Sequence, residues 1–329
     1  MRVLVTGGAG YIGSHAVREL RDAGHAVSVL DDLSKGHRAA LPAGIRLVVS
    51  DLGDEAGLAE ALAGADAVMH FAGLLSVAES VTNPAAYYGT NVAKSLSLLS
   101  AMGRAGVNKI IFSSTCAVYG MPVRTPMDEE HPQAPINPYG ASKRAFERAL
   151  SDYAAAGLLR CIALRYFNAA GCHPDGSLGE DHDPEEHLIP LAIDAALGRR
   201  PGLRIHGGDY ETPDGTCIRD YIHVQDLARA HVLALEELDR GEAYRVFNLG
   251  TGRGHSVREV IASVQGVTGR PVPAEVGPRR AGDPPRLVAS AVRAREALGF
   301  RPALGELDAI VETAWRWRRD QPRGYGDQP

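Results

Sequence analysis

Along the first half of the chain, short unbroken apolar runs alternate with amphipathic stretches. Val3 to Thr6 reads as a buried strand, and Ile12 to Ala23 as a helix closed by Gly24. Further strands are predicted at Ala26 to Leu30, ending at Asp31, at Leu47 to Val49, ending at Asp51, and at Ala67 to Phe71. One long helix is predicted from Pro84 to Ala105, stopped by Gly106, and a strand from Lys109 to Ser113. Asn137-Pro138 supplies an N-cap and a first-turn proline for a helix that runs to Ala156 and stops at Gly157. Leu159 to Tyr166 is the sixth strand. Strand, helix, strand at this cadence requires crossover connections. The fold class is therefore α/β, with a doubly wound parallel sheet covered on both faces.

The second half is less regular and richer in Gly and Pro, with long loops predicted at 171–186 and 207–219. Helices are predicted at 187–199, 226–238, 256–268 and 304–320. Ser256 followed by Glu259 has the form of a capping box. A division near residue 168 follows, giving a first domain at 1–168 and a smaller mixed α/β domain at 169–329. Val246-Phe247-Asn248-Leu249 is patterned as a strand that can return to the first sheet, so the first domain takes back a segment near 220–250.

Composition narrows the class. The chain has 329 residues, 45% of them hydrophobic, enough for a sizeable core, and a formal net charge of −5. An acidic balance argues against a nucleic-acid partner. Four cysteines, Cys116, Cys161, Cys172 and Cys217, show no C-x-x-C spacing and fit a reducing compartment. The chain opens on a strand without a basic-then-apolar leader, and no apolar run is long enough for a bilayer. The expectation is a cytoplasmic protein with no membrane partner. Twelve histidines include no H-E-x-x-H or other tight metal spacing, so no metal site is predicted.

Chemistry enters at Gly7-Gly8-Ala9-Gly10-Tyr11-Ile12-Gly13, directly after the first strand and opening the first helix. Glycines there let backbone approach a pyrophosphate, which the helix N-terminus also attracts. The next strand ends at Asp31, where an acid accepts from the adenosine ribose hydroxyls and repels a 2′-phosphate. The cofactor expected is thus NAD rather than NADP. Tyr139 and Lys143 lie one helical turn apart on a common face. Strand five runs into Ser113-Ser114-Thr115 at the carboxyl edge of the sheet, where open α/β sheets bind ligands. A tyrosine phenol, ordinarily near 10, becomes a usable base when a cation such as Lys143 stabilises the phenolate.

Gly7–Gly13, Thr115 with Ala117-Val118-Tyr119-Gly120, and Tyr139-Gly-Ala-Ser-Lys143 resemble the extended short-chain dehydrogenase/reductases, which have Rossmann-type sheets. Further segments resemble the UDP-glucose 4-epimerases. These are Met1–His15, His70-Phe71-Ala72-Gly73, Arg165-Tyr166-Phe167-Asn168, Arg219-Asp220-Tyr221-Ile222-His223-Val224, Phe247-Asn248-Leu249-Gly250 and Arg279-Arg280-Ala281-Gly282-Asp283.

The resemblance implies an isomerase in which Tyr139 removes the sugar 4-hydroxyl proton. Thr115 would bind the same oxygen, and Lys143 would hold the nicotinamide ribose and lower the Tyr139 pKa. Hydride passes from C4 to NAD, the 4-ketopyranose turns over, and the hydride returns to its other face. NAD then acts as a prosthetic group. The cofactor set implied is Gly7, Gly10, Tyr11, Ile12, Gly13, Asp31, Asp32, Leu33, Ser34, Asp51, Leu52, Phe71, Ala72, Gly73, Asn91, Ser113, Tyr139, Lys143, Tyr166 and Phe167. The UDP-sugar set is Thr115, Asn168, His187, Leu188, Arg204, Ile205, His206, Arg219, Arg280, Asp283 and Leu287. Arg219 and Arg280 would clamp the pyrophosphate, and Asp283 would accept from the uridine ribose. A homodimer through the helices near 84–105 and 138–156 is also implied.

Three positions depart from the family. Leu75 stands where some epimerases carry a lysine that helps hold the cofactor phosphates. His206 replaces an aromatic near the uracil, and Leu287 a tyrosine that narrows the sugar pocket, which predicts tolerance of a 2-N-acetyl sugar. Epimerisation of UDP-GlcNAc, UDP-glucuronate or UDP-pentoses stays open. A 4,6-dehydratase needs an Asp-Glu pair after the active-site threonine, where this chain has Cys116-Ala117. A non-catalytic NAD sensor need not keep Tyr139, Lys143 and Thr115 together, and a simple dehydrogenase would exchange NAD freely.

Overall fold

The apolar runs of the first half become parallel strands of one sheet in a computed structural model, which describes residues 1–280 and 282–326. Ala281, within one of the motifs above, lies outside the described residues. In chain order the strands are β1 (Arg2–Thr6), β2 (Ala26–Asp31), β3 (Arg46–Val49), β4 (Ala67–His70), β5 (Lys109–Thr115), β6 (Arg160–Tyr166), β7 (Asn168–Ala170), β8 (Leu203–His206), β9 (Ile218–His223) and β10 (Tyr244–Leu249). The large sheet has the order β10-β6-β5-β4-β1-β2-β3, and every neighbouring pair is parallel. Strand order reverses between β1 and β4. The crevice beyond their carboxyl ends is where such sheets take a dinucleotide.

Alternation along each strand feeds two cores. Val3, Val5, Met69, Ile111 and Leu164 pack on one face with Ala16, Val17 and Leu20 of the Tyr11–Asp22 helix and Leu227 and Leu235 of the Val224–Glu237 helix. Leu4, Val68, Ile110, Phe112 and Ala163 pack on the other with Leu58, Leu98, Met102, Phe146 and Leu150. Beyond the sheet, β9 pairs in parallel with β7 and with Arg286–Leu287, and antiparallel with Gly254–Ser256. β8 pairs with Ala274–Gly277. A third core joins the Leu188–Ala196, Val257–Thr268 and Leu307–Asp320 helices through Ile193, Val264, Ile310 and Trp317.

The returning strand forms as patterned, with Val246 opposite Ala163 in the β10–β6 register. Ser256 and Glu259 make the capping box reciprocally, and Asn137 caps its helix by accepting from the Gly140 amide at 2.8 Å. Elsewhere the structure corrects the expectation. The single helix from 84 to 105 is three pieces, Pro84–Tyr88, a π-helical stretch Gly89–Lys94, and Ser95–Ala105. The 207–219 loop ends early because β9 begins at Ile218. Short helices at Glu55–Leu62, Val77–Thr82 and Val292–Leu298 escaped the pattern reading. At six to eight residues they carry too few periods to stand out.

Candidate active site

The glycine turn follows β1, and its glycines have different reasons. Gly7 has φ +70°, and a Cβ there would come within 2.5 Å of the Ala72 amide; at Gly13 it would run into the Gly7 carbonyl oxygen. Both are required by the protein's own packing. At Gly10, the N-cap of the first helix, a Cβ would meet only Gly7 oxygen, at 3.5 Å. Gly10 therefore keeps open a space that the chain itself does not fill, in front of the first-turn amides of the Tyr11–Asp22 helix. That cradle fits a dinucleotide pyrophosphate.

Asp31, at the end of β2, is buried. Its two oxygens accept from the Ala9 and Leu33 amides, each at 2.9 Å. Burial pushes its pKa up, and those two amides pull it back. It thus ties the glycine turn to the following loop. Leu33 sits at φ 58°. Asp32 accepts from the Ser34 amide and hydroxyl at 2.9 and 2.6 Å. Asp51 pairs with Lys94 at 2.6 Å, while the neighbouring Leu52 is buried. Tyr11 donates its hydroxyl to the Gly171 carbonyl at 2.5 Å.

The β4 and β5 ends bring the reactive groups together. Phe71 and Ala72 donate their amides to the Thr6 carbonyl at 2.9 and 3.0 Å, which seats Gly73 beside the turn. A Cβ on Gly73 would lie 2.8 Å from Asn91 Oδ1 and 3.5 Å from Lys143 Nζ, so these three converge. Asn91 lies in the π-helical stretch, whose extra residue per turn re-aims side chains. It holds the Leu74 backbone at both ends and donates to Ser142 Oγ at 3.1 Å. Lys143 is buried, donates to the Ser113 carbonyl at 3.1 Å and lies 5.0 Å from the Phe112 ring centroid. The Ser113 and Tyr166 hydroxyls pair at 2.6 Å, and Phe167 is buried beside Cys116.

Electrostatics qualifies the expectation for Tyr139. Burial pushes its phenol well above the usual value, and the Thr115 hydroxyl is the neighbour that pulls it down. Burial also lowers Lys143 to about 8, against the opposing pull of Glu147. The ammonium's hydrogen bond goes to the strand backbone, so on its own Lys143 does not make Tyr139 a ready base. A cationic nicotinamide ring would add the missing positive field.

The nucleotide end gathers around β8 and β9. Arg204, Arg280 and Asp283 act electrostatically on His206 after burial, which itself lowers the imidazole. Ile205 is buried in the third core, whereas Arg280 is exposed. Arg219 forms an ion pair with Asp283 and donates to the Pro284 carbonyl at 2.8 Å. The two residues expected to take different parts of the nucleotide are thus partners here. Leu287 is partly buried against the cluster of Cys116, Val118, Tyr119, Met127, Phe167 and Ala289. Asn168 opens β7, and His187 caps the helix beginning at Leu188. His187 turns Nδ1 to Glu180.

Sequence reading passed over a buried network behind the site. Glu147, one turn beyond Lys143, pairs with Arg165 at 2.5 Å and accepts from Ser114 Oγ at 2.5 Å. Arg165 donates to Tyr119, which donates to Asn248 on the returning strand. The only sequence signal was the i, i+4 spacing of Lys143 and Glu147, which is common on exposed helices too.

The chain matches the NAD dependent epimerase/dehydratase family over residues 3–250. It is 54% identical to the UDP-glucose 4-epimerase of Azospirillum brasilense, over 99% of this chain and 94% of that one. The UDP-glucose 4-epimerase of Brucella ovis, solved in complex with NAD, superposes with a TM-score of 0.92 at 52% identity, covering 95% of this chain and 97% of that one. The Bifidobacterium longum enzyme, solved with NAD+ and UDP, gives 0.94 at 39% identity over 98% and 100%. With the doubly wound sheet, the glycine cradle and the Thr115, Tyr139 and Lys143 group already in place, the chain belongs to the UDP-glucose 4-epimerases of the NAD dependent epimerase/dehydratase family.

Proposed function

We propose that this chain interconverts UDP-galactose and UDP-glucose through a transient 4-ketopyranose, in galactose and nucleotide-sugar metabolism. The observation that carries the reading is that Asn91 and Lys143 converge on Gly73 at the carboxyl edge of the sheet, with the Thr115 hydroxyl acting on the Tyr139 phenol one helical turn before Lys143. NAD, when bound, supplies a reversible two-electron acceptor for the C4–H bond. Gly10 and the first-turn amides would hold its pyrophosphate, Asp31 its adenosine ribose, and Asn91 and Lys143 its nicotinamide half. Tyr139 removes the proton from the 4-hydroxyl and later restores it, while Thr115 Oγ holds that oxygen. Lys143 holds the nicotinamide ribose, and its charge together with that of the nicotinamide ring lowers the phenol's pKa. Arg219, Arg280 and Asp283 anchor the UDP so that the sugar alone turns. Asn168, His187 and Leu188 line the same side.

The test is turnover of UDP-galactose by purified protein without added NAD. Activity with bound NAD supports the proposal. A chain that needs free NAD and releases stoichiometric NADH is a dehydrogenase, and one that interconverts no UDP-sugar refutes it. Tyr139→Phe should lower turnover by about 10²–10⁴-fold with bound NAD unchanged. Dehydration is disfavoured because Ala117 has no ionisable group and the Cys116 thiol, pushed up to about 12 by burial, is a far weaker acid than the carboxyl group it replaces. Leu287, where some relatives carry a tyrosine that narrows the sugar pocket, supports acceptance of UDP-GalNAc as well. Good UDP-galactose activity with no turnover of UDP-GalNAc would exclude that extension.

The same reading assigns cofactor binding to residues 1–168 with the returning segment, and the UDP-sugar to residues 169–329. It extends to a homodimer through the helices near 84–105 and 138–156, which light scattering tests. It also extends to a cytoplasmic location, which the four free, buried cysteines favour. Among the described residues, no helix is long and apolar enough to cross a membrane.

A further inference from the structure

The loop between β7 and the Leu188–Ala196 helix carries a cluster of which only His187 has a place in the epimerisation. One donor atom each from Glu180, His182, Glu185 and His187 lies within 4.8 Å of the others. Both histidines turn Nδ1 to the same oxygen, Glu180 Oε1, with His182 at 3.3 Å. The same two nitrogens lie 3.8 and 3.9 Å from Glu185 Oε1. A tetrahedral ion with bonds of about 2.0–2.1 Å has donor-to-donor edges of roughly 3.3–3.4 Å. The four atoms therefore face one point at about the right span, with His187 and Glu180 in direct contact as a hydrogen-bonded pair that an ion would have to part. The two imidazole rings meet edge-on at 5.4 Å between centroids.

We propose that Glu180, His182, Glu185 and His187 bind one divalent cation of zinc type, in a structural rather than a catalytic role. Two imidazoles and two carboxylates are the nitrogen and oxygen donors that zinc takes, and the two carboxylate charges are neutralised by one dication. Glu180 is 3% exposed, so its charge needs a partner; His182 and His187 supply it in this structure, and a dication would take over that role. An outer shell is in place as well. Arg318 reaches Glu185 Oε2 at 3.4 Å and the Glu180 carbonyl at 3.3 Å, and is itself held by Asp194 at 2.5 Å. The His182 ring meets Tyr11 of the glycine turn edge-on at 5.9 Å. Lys35, just past β2, donates to the Asp183 carbonyl at 2.8 Å. The cation would therefore clamp this loop between the cofactor turn and the C-terminal helix. With Nδ1 on the metal, His187 must carry its proton on Nε2, so the ring presents a donor.

The experiment is elemental analysis of the native protein, purified without chelator or metal-affinity resin. About one zinc per chain is expected. EDTA stripping should lower Tm by several degrees, and added zinc sulfate should restore it where magnesium chloride does not. His182→Gln should hold at least about tenfold less zinc while keeping its circular dichroism and bound NAD, and Glu185→Gln should behave alike. A wild-type protein that carries no metal and whose Tm is unmoved by zinc overturns the proposal. So does zinc retained equally by both variants.

Discussion

At the scale of single residues, neighbouring glycines in one turn answer to different partners. A methyl at Gly13 collides with the protein's own backbone, whereas a methyl at Gly10 projects into the cradle. Gly13→Ala should therefore lower Tm of the protein whether or not NAD is bound. Gly10→Ala should fold with a near-parental Tm and retain at least about tenfold less NAD, since the cofactor alone meets the added group. Calorimetry combined with the absorbance of cofactor released by denaturation reads both. Equal losses of stability in the two variants would show that the distinction between protein packing and ligand approach is wrong.

The Pro138–Ala155 helix shows what one element must reconcile. Its start is legible in sequence, since Asn137 and Pro138 form a cap from adjacent residues. Its inner face is not, because Glu147 finds Arg165 and Ser114 on two other strands. Glu147 and Arg165 are each 3% exposed in their side chains. Removing one partner leaves a buried unpaired charge, so Glu147→Ala should cost about 3–5 kcal/mol in denaturant unfolding. Replacing both by apolar residues of similar volume, Glu147→Leu with Arg165→Met, should recover most of that loss. If the double variant is less stable than the single one, the network contributes more than charge pairing. The π-helical stretch at Gly89–Lys94 makes the same point. Its residues look like ordinary amphipathic helix, and the wider turn is evident only with Asn91 reaching Leu74 and Ser142.

Over the whole molecule, four buried histidines couple folding to acidity. Burial lowers His15 and His231 to about 4, and His70 and His223 to about 3. His70 shows why: it is held between the Thr6 and Ser95 hydroxyls at 2.7 and 3.1 Å, deep in the sheet. Between the unfolded value of about 6.5 and these folded values, the unfolded chain binds protons that the folded chain refuses. These four sites lower stability as pH drops through that window, while His182 and His187, raised against burial by Glu180 and Glu185, act in the opposite sense. Unfolding free energy measured from pH 7 to 5 should show this slope, and His231→Gln should flatten it by close to one proton. A pH profile left unchanged by His231→Gln would contradict a neutral buried imidazole at that site.

How much was legible follows from the range of the interactions involved. Alternating strands and helices, the glycine turn, the Asn137 cap, the Ser256 capping box and the Tyr139–Lys143 spacing are written within about a dozen neighbouring residues. Backbone sterics and side-chain periodicity act over that distance, so the sequence by itself determined the doubly wound sheet and the chemistry of its edge. Other features needed chain segments far apart in sequence to meet. β10 had to choose the edge of β6, and Asp283 to find Arg219. Glu147 had to meet Arg165, and Lys143 to turn toward the strand carbonyl. The Glu180, His182, Glu185 and His187 cluster is local in sequence, yet its spacing matches no familiar metal motif. Only the folded loop brings its four donors to one point, because an irregular backbone has no fixed period from which to read a common face.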